Sequence, residues 1–298
     1  KYLYEMHMLG AKKVIMEVTS HALAQNRVAC ARFEVGVFTN LSVDHLDYHG
    51  SMEDYFEAKA GLFCDPTVAA KYQVINVDDE WGQKLIKRTK ATSITYAIEN
   101  KGADLRACDI KMQWGKTSLI LSYKGQEIRC QCPMMGEFNV YNILASVGVA
   151  LSYGLPLEEA AKRLKTFKGV PGRIEWVKSH EPYQLCVDFA HTEKALEKTL
   201  QTLSQVKKGR IITLFGCGGD RDKSKRAAMA KVAETFSDLV VITSDNVRSE
   251  DPDLILNAIE KGFSEKAHVV RKKHRKEAIA YVMGQAKEND IVLLAGRG

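Results

Sequence analysis

Arg210-Ile-Ile-Thr-Leu-Phe215 runs directly into Gly216-Cys-Gly-Gly-Asp-Arg221, and residues 223–236 then carry helical spacing. An unbroken apolar run of strand length, a glycine turn and a helix form the repeating half of a parallel sheet buried on both faces. The same pattern recurs on either side. Strands are expected at Gln184–Asp188, Leu239–Thr243, His268–Val270 and Ile291–Ala295, alternating with helices near 193–206, 252–262 and 275–287. Continuous apolar strands alternating with helices predict a doubly wound α/β unit. Such sheets bind ligands at the carboxyl ends of their strands. The polar clusters fall there: Asp188–His191, Gly216–Arg221, Ser244–Arg248 and Gly296–Gly298.

Upstream, Lys168-Gly-Val-Pro-Gly172 has the composition of a linker, so the chain divides into residues 1–169 and 170–298. The first part predicts helices at Asn139–Tyr153 and Leu157–Lys165. Short alternating runs at Ser93–Ala97, Ser118–Tyr123 and Glu127–Cys132 suggest an antiparallel patch. Ser51–Phe63 has helical spacing, with Ser51 and Asp54 placed as a capping box. Buried strands are expected at Val14–Val18, Glu34–Thr39 and Gln73–Asn76, after a helix at Tyr2–Leu9.

The length of 298 residues suits two domains, and a hydrophobic fraction of 45% excludes disorder as the main state. A net charge of +6, without an Arg/Lys tract interleaved with aromatics, suits an anionic small substrate and gives no sign of nucleic acid. Apolar runs of strand length predict no membrane partner, and Lys1-Tyr-Leu-Tyr-Glu5 lacks the pattern of a signal peptide. Seven scattered cysteines point to a reducing cytoplasm. Cys130 and Cys132 read as alternation along a strand, since no second ligand pair follows at zinc spacing.

Several residues carry chemistry. Glu17, after Val-Ile-Met on an expected buried strand, reads either as a cation ligand or as a strand-end carboxylate near solvent. In Thr39-Asn-Leu-Ser-Val-Asp44-His45-Leu-Asp47-Tyr-His49-Gly50, two Asp and two His suit a divalent cation and a phosphate-bearing substrate. Lys59, an isolated helical lysine, has no role on local grounds. The 216–221 glycine cluster places backbone N–H groups before a helix and suits an anion; a plain tight turn is the alternative. It is not a Walker A loop, because Asp222 stands where Gly is needed before Lys223-Ser224, and no such loop occurs elsewhere in the chain. Asp245, Asn246 and Arg248 would suit a zwitterion, with Asp for an ammonium and Arg as a carboxylate fork. An Asp-Asn turn beside an exposed Arg is the other reading.

Taken together and in order, Thr19-Ser-His-Ala-Leu-Ala-Gln25-Asn-Arg27, the 39–50 stretch with Ala58-Lys59, Gly136-Glu-Phe-Asn139-Val-Tyr-Asn142, Pro171-Gly-Arg173, Asp188-Phe-Ala-His191-Thr, the run 215–222 and Ser244-Asp-Asn-Val-Arg248-Ser-Glu-Asp-Pro252 resemble the Mur ligases from end to end. The likeness is to the members that add the third peptide residue of peptidoglycan. It implies a partial central ATPase domain with a mixed sheet, followed by a Rossmann-like C-terminal domain. It also implies an amino-terminal uridine-nucleotide domain and a GTxGKT phosphate loop upstream of Lys1, and a last motif, usually AGKGHE, that stops here as Ala295-Gly-Arg297-Gly298. On that reading the chain is a fragment, inactive alone.

By the same resemblance Glu17, His45 and Lys59 would be catalytic and hold magnesium, with Lys59 carbamylated into an anionic ligand. Thr19, Gln25 and Arg27 would contact UDP-N-acetylmuramoyl-L-alanyl-D-glutamate. Asn139, Asn142, Arg173, Asp188 and His191 would surround ATP. Arg221, Asp245, Asn246, Val247, Arg248 and Gly296 would receive the incoming amino acid. The implied reaction phosphorylates the D-glutamyl γ-carboxylate and lets an amine attack the acyl phosphate, in a cytoplasmic monomer. The expected amino acid is meso-diaminopimelate, because two arginines offer charge to its distal carboxylate. Val247 stands where diaminopimelate enzymes of the family carry Pro, which loosens the turn without removing Arg248. The alternatives are L-lysine as the added residue, a non-catalytic amino-acid or nucleotide-binding fragment, and a ligase like folylpolyglutamate synthetase.

Overall fold

The computed structural model describes residues 2–296; Arg297 and Gly298 of the expected last motif lie outside them. In chain order the first elements are α1 (Tyr2–Met8), α2 (Ser20–Ala24), β1 (Val35–Phe38), α3 (Leu46–His49), α4 (Met52–Cys64), β2 (Tyr72–Asn76), α5 (Glu80–Ile86), β3 (Thr92–Ala97), β4 (Leu105–Gln113), β5 (Lys116–Tyr123) and β6 (Gln126–Cys132). Helices α6 (Glu137–Ser152) and α7 (Leu157–Thr166) follow. The remainder is β7 (Glu175–Val177), β8 (Gln184–Asp188), α8 (Glu193–Val206), β9 (Ile211–Phe215), α9 (Lys225–Phe236), β10 (Leu239–Ile242), α10 (Pro252–Glu260), β11 (Val269–Arg271), α11 (Arg275–Gln285) and β12 (Ile291–Ala295). Two compact units result: residues up to 106 with 122–126 and 141–157, and residues 107–121, 127–140 and 158 onward.

The first sheet has the order β1-β2-β3-β4-β5-β6. β1 to β4 pair in parallel, and two-residue turns at Trp114-Gly115 and Lys124-Gly125 join β4, β5 and β6. The run Ser93–Ala97 is therefore parallel on both sides, which corrects the antiparallel expectation for it. Ser51 caps α4 by accepting the Asp54 N–H at 3.1 Å. That helix buries Tyr55, Phe56, Ala60 and Phe63 against Phe38 and Ile75. On β6, Cys130 and Cys132 are buried and Gln131 between them is exposed, so the pair does alternate along a strand.

The strand expected at Val14–Val18 does not form. Residues 13–19 are irregular, with Val14 43%, Ile15 99% and Met16 44% exposed. An apolar run becomes a strand only by sharing backbone hydrogen bonds with a neighbour. Among the described residues the sheet order ends at β1, and nothing pairs with this run.

The second sheet has the order β11-β10-β9-β12-β8-β7, parallel throughout except for the antiparallel edge strand β7, which the sequence reading lacks. β9, β10 and β12 are buried at every position, which is why they read as continuous apolar runs. Leu200 of α8, Met229 of α9 and Ile255 of α10 join one core with Phe215 and Leu293. Ala278 and Val282 of α11 join a separate core with Ile212, Leu214 and Val292. Helices on both faces make the unit doubly wound. The four strands whose ends carry polar clusters, β10, β9, β12 and β8, are consecutive neighbours, so their loops emerge side by side. Among the described residues, no helix is long and apolar enough to cross a membrane.

Candidate functional site

Each unit carries its own group of candidate residues. In the first unit, the Asp44-to-His49 segment folds against α4. His45 takes a left-handed conformation (φ +53°) as it enters α3, a strained state that a non-glycine residue holds only when its surroundings impose it. Its ring meets His21 edge-on at 4.9 Å and Tyr55 at 5.9 Å. His49 stacks on Tyr55 at 5.1 Å and bonds Ser20 Oγ at 2.9 Å. Burial, then the neighbouring His21 and His45, lower the His49 pKa.

Lys59 lies one turn beyond Tyr55 on α4, half-buried, with Nζ 5.3 Å from the Tyr55 ring centre. Burial lowers its pKa, while the carboxylates of Glu17 and Asp44 pull it back up. A lysine made easier to deprotonate yet faced by two carboxylates is not an ordinary solvated one. Glu17 itself is exposed on the irregular segment. Thr19 caps α2 by accepting the Ala22 N–H at 3.2 Å, and Gln25 donates to Tyr48 Oη at 3.2 Å. Arg27 is exposed. Among the described residues no three His, Cys, Asp or Glu side chains converge as a metal site. The carboxylate oxygens of Glu17 are of the kind magnesium takes, as those of a carbamate on Lys59 would be, whereas the His45 imidazole would add a nitrogen to an otherwise oxygen set. Tyr55 carries no motif of its own, and its i, i+4 spacing to Lys59 is its sequence signal; His21 lies within the Thr19–Arg27 stretch, where the sequence reading gives it no role.

In the second unit, Asp188 closes β8. It is 4% exposed. One oxygen accepts the Ile174 N–H at 2.7 Å; the other accepts the Ala190 N–H at 2.8 Å and the Thr199 hydroxyl at 3.2 Å. Burial raises its pKa, and these donors lower it in part. Both oxygens are thus engaged by the chain's own groups, and Asp188 fixes the loops bearing Arg173 and His191. Arg173 packs on Phe189 with 5.7 Å from guanidinium carbon to ring centre, and the His191 ring meets the same ring edge-on at 5.0 Å. Ile174 sits at φ +43°, rare for a β-branched residue. On α6, Asn139 is buried and donates to the Met135 carbonyl at 2.7 Å. Asn142, one turn on, already belongs to the first unit, and its carbonyl accepts the Ser146 hydroxyl at 2.9 Å.

The loops after β9 and β10 interlock. Gly219 donates its N–H to the Asn246 carbonyl at 2.9 Å, and its own carbonyl accepts Arg248 Nη1 at 2.6 Å. Asp220 (φ +51°) and Arg248 (φ +50°) are both left-handed. Asp245 accepts the Asn246 N–H through Oδ1 at 2.8 Å. Val247 packs against the core, whereas Arg221 is exposed. Gly296 (φ +98°) closes β12 and donates its N–H to the Asp188 carbonyl at 3.0 Å. A Cβ there would lie 3.3 Å from Asp245 Oδ2 and 3.6 Å from the Gly216 carbonyl oxygen. Three strand ends therefore converge on Gly296. A buried pair the sequence reading missed, Arg226 on α9 and Glu250, lies beneath these loops.

Comparison with known proteins matches residues 1–150 to the Mur ligase middle domain and residues 172–298 to the glutamate ligase domain of Mur ligases. The chain is 42% identical over 296 residues to the UDP-N-acetylmuramoyl-L-alanyl-D-glutamate--2,6-diaminopimelate ligase of Aquifex aeolicus, covering 99% of this chain and 60% of that one. A solved structure of a protein of the same name superposes with a TM-score of 0.72 at 34% identity, over 99% of this chain and 61% of that one. The folylpolyglutamate synthase of Mycobacterium tuberculosis shares the fold, with a TM-score of 0.70 at 20% identity, over 89% of this chain and 61% of that one. The chain spans about three fifths of the length of the curated relatives it matches.

Proposed function

The chain belongs to the Mur ligase family, and from that premise we propose that it works in an ATP-dependent amide ligase joining meso-diaminopimelate to UDP-N-acetylmuramoyl-L-alanyl-D-glutamate. The observation that carries this reading is the convergence of Asp245, Arg248 and Gly296 with the 216–221 glycine loop at adjacent strand ends. It occurs in a chain 42% identical to a relative named for that reaction. Residues 1–169 act as the central ATPase domain and 170–298 as the C-terminal domain; the two family matches end and begin on either side of that boundary.

In this reading Asn139, Arg173 and His191 of the second unit serve ATP, with Asp188 holding the Arg173 and His191 loops in place, and Asn142 of the first unit is assigned to ATP on the family resemblance alone. Thr19, Gln25 and Arg27 meet the nucleotide sugar. Glu17, His45 and a carbamylated Lys59 would hold magnesium, which when bound offsets the charge of the phosphates. Carbamylation requires the neutral amine, and the lowered pKa of Lys59 supports that role. The chain's own contribution is alignment. Asp245 and Asn246 take the ammonium and carboxylate of the incoming amino acid, and Arg221 and Arg248 take its distal carboxylate. The amino group, once it has given up its proton, attacks the acyl carbon in an effectively unimolecular step, forming the amide C–N bond as the C–O bond to phosphate breaks. The seven free cysteines fit a reducing cytoplasm as the place of this reaction.

The test is a competition ligation with the gene product that contains this chain, given ATP, magnesium, the nucleotide dipeptide and equal concentrations of meso-diaminopimelate and L-lysine. Preferential incorporation of diaminopimelate is expected. Equal incorporation of the two refutes the substrate assignment, and no incorporation of either refutes the ligase reading.

A further inference from the structure

We propose that Arg226 and Glu250 are the positioning pair of the amino-acid site: an ion pair beneath the loops after β9 and β10 that holds both in one register. The inference rests on the functional reading above and adds two residues to it. Arg226 is 2% exposed on α9. Its Nη1 lies 3.1 Å from one Glu250 oxygen, and its Nη2 lies 2.9 Å from the other. Glu250 reaches in the opposite direction as well, accepting the Asp220 N–H at 2.7 Å. Asp220 then accepts the Ser249 N–H at 3.0 Å and the Ser249 hydroxyl at 2.8 Å. The ring of contacts runs from α9 to the second loop, back to the first loop, and again to the second. Arg226 Nη2 also leans on the Gly218 carbonyl at 3.4 Å.

Two features make this more than a surface brace. A guanidinium as buried as Arg226 is costly to desolvate, and its pairing does little for net stability compared with apolar residues; the best-attested use of such pairs is to fix register. The residues tied by the ring or flanking it, Asp220 and Arg248, are also those held at positive φ, a conformation that persists only where the surroundings over-determine it. Both flank or form the proposed carboxylate contacts, Arg221 and Arg248. Neither Arg226 nor Glu250 need touch the ligand. Without their pairing, the Gly219 and Asp220 backbone loses its reference to the Asn246–Ser249 segment.

The experiment uses the gene product that contains this chain and two variants of it, Glu250→Gln and the double Arg226→Met/Glu250→Met. Each is titrated calorimetrically with meso-diaminopimelate, melted, and followed by amide exchange at Gly219, Asp220 and Ser249. Glu250→Gln should weaken binding by roughly tenfold or more, the scale of one misplaced charge-assisted hydrogen bond to the ligand, and should deprotect the three amides. The double variant carries no unpaired buried charge. It should recover the melting temperature while keeping the binding defect, which a purely structural role would not produce. Wild-type affinity in the double variant overturns the inference. If the wild-type gene product itself does not bind the diamino diacid, the functional reading fails. The exchange data then decide the pair alone, and unchanged protection in both variants refutes it.

Discussion

Substituting Gly219 by alanine tests how closely the two ligand loops are packed. An added Cβ would drive into the Val247 carbonyl oxygen, lie 2.8 Å from its carbon and come within 3.1 Å of Glu250 Cβ. Gly219 is not at positive φ, so the penalty is wholly steric. Reaching an ordinary contact requires the 246–248 backbone to withdraw by about 1 Å or more. That movement breaks the Gly219 N–H to Asn246 bond and the Arg248 to Gly219 carbonyl bond. The neutral bond is worth about 1 kcal/mol, and the charged one, discounted because Arg248 is exposed, about 1.5 kcal/mol. Overpacking adds at least about 1 kcal/mol. A loss of about 3–4 kcal/mol should lower the melting temperature by roughly 6–16 °C in a unit of this size. Gly284→Ala is the internal control: on α11, a Cβ at this position meets nothing within 4 Å. Replacing that helical glycine should stabilise by about 0.5–1 kcal/mol. Differential scanning calorimetry on the three proteins reads both signs at once. If Gly219→Ala melts within about 2 °C of wild type, on the same scale, the interlocked loops described above are wrong.

Three further outcomes are expected. Lys59→Ala should abolish ligation in the gene product containing this chain, with no rescue by bicarbonate; near-normal turnover would rule out a carbamate on Lys59. Arg248→Ala should reduce the preference for meso-diaminopimelate over L-lysine by roughly tenfold, the lower end for a guanidinium–carboxylate pair because the side chain is exposed; an unchanged preference in competition removes Arg248 from the specificity site. The Arg226 hydrogen bonds hold Glu250 at about 2, against an ordinary 4.5. Its pairing therefore stabilises fully above pH 4.5 and is lost as pH falls towards 2. Glu250→Gln should flatten that acid limb in denaturant titrations run at successive pH values, and an identical limb would show that the pair does not exist in solution.

What could be read from the sequence follows from what each segment needs in order to fold. β9, β10 and β12 are buried on both faces, so their apolar runs identify them without further context, and the Gly216–Arg221 turn marks the strand end where the proposed site lies. β4 was illegible because its alternation changes phase at Asp109, which sits at φ +48°, the mark of an extra residue in a strand. α5 is short, and a Cβ at its Gly82 would drive into the Asn76 carbonyl oxygen; the glycine that reads as a loop signal permits a helix packed against the end of β2. Val14–Val18 failed for the opposite reason. Its local pattern is that of a strand, but pairing is a property of the neighbour, and none of the described strands lies beside it.

The site shows the same division more sharply. Lys59 looks like any helical lysine until Glu17 and Asp44, from segments distant in the chain, are brought to bear on it. Arg226 follows three residues after Lys223 and one after Lys225, and nothing local separates the buried bidentate partner of Glu250 from Lys223, which reaches from the surface to 3.7 Å from the same carboxylate, or from Lys225, which bonds the His191 carbonyl. Of the eight non-glycine residues at positive φ among the described residues, His45, Ile174, Asp220 and Arg248 belong to or flank the candidate residues, while Asp109, Lys124 and Asn289 lie in turns and strands elsewhere. Each of the first four is held by a specific partner or packed against the rings and loops already described, the Ile174 N–H by Asp188 and Arg248 by the Gly219 carbonyl. A chain optimised only for stability would relieve such strain by placing glycine or asparagine at these positions. At Arg248 and His45 the left-handed backbone is held by specific neighbours, the Gly219 carbonyl and the His21 and Tyr55 rings, so the strain fixes where those two side chains stand.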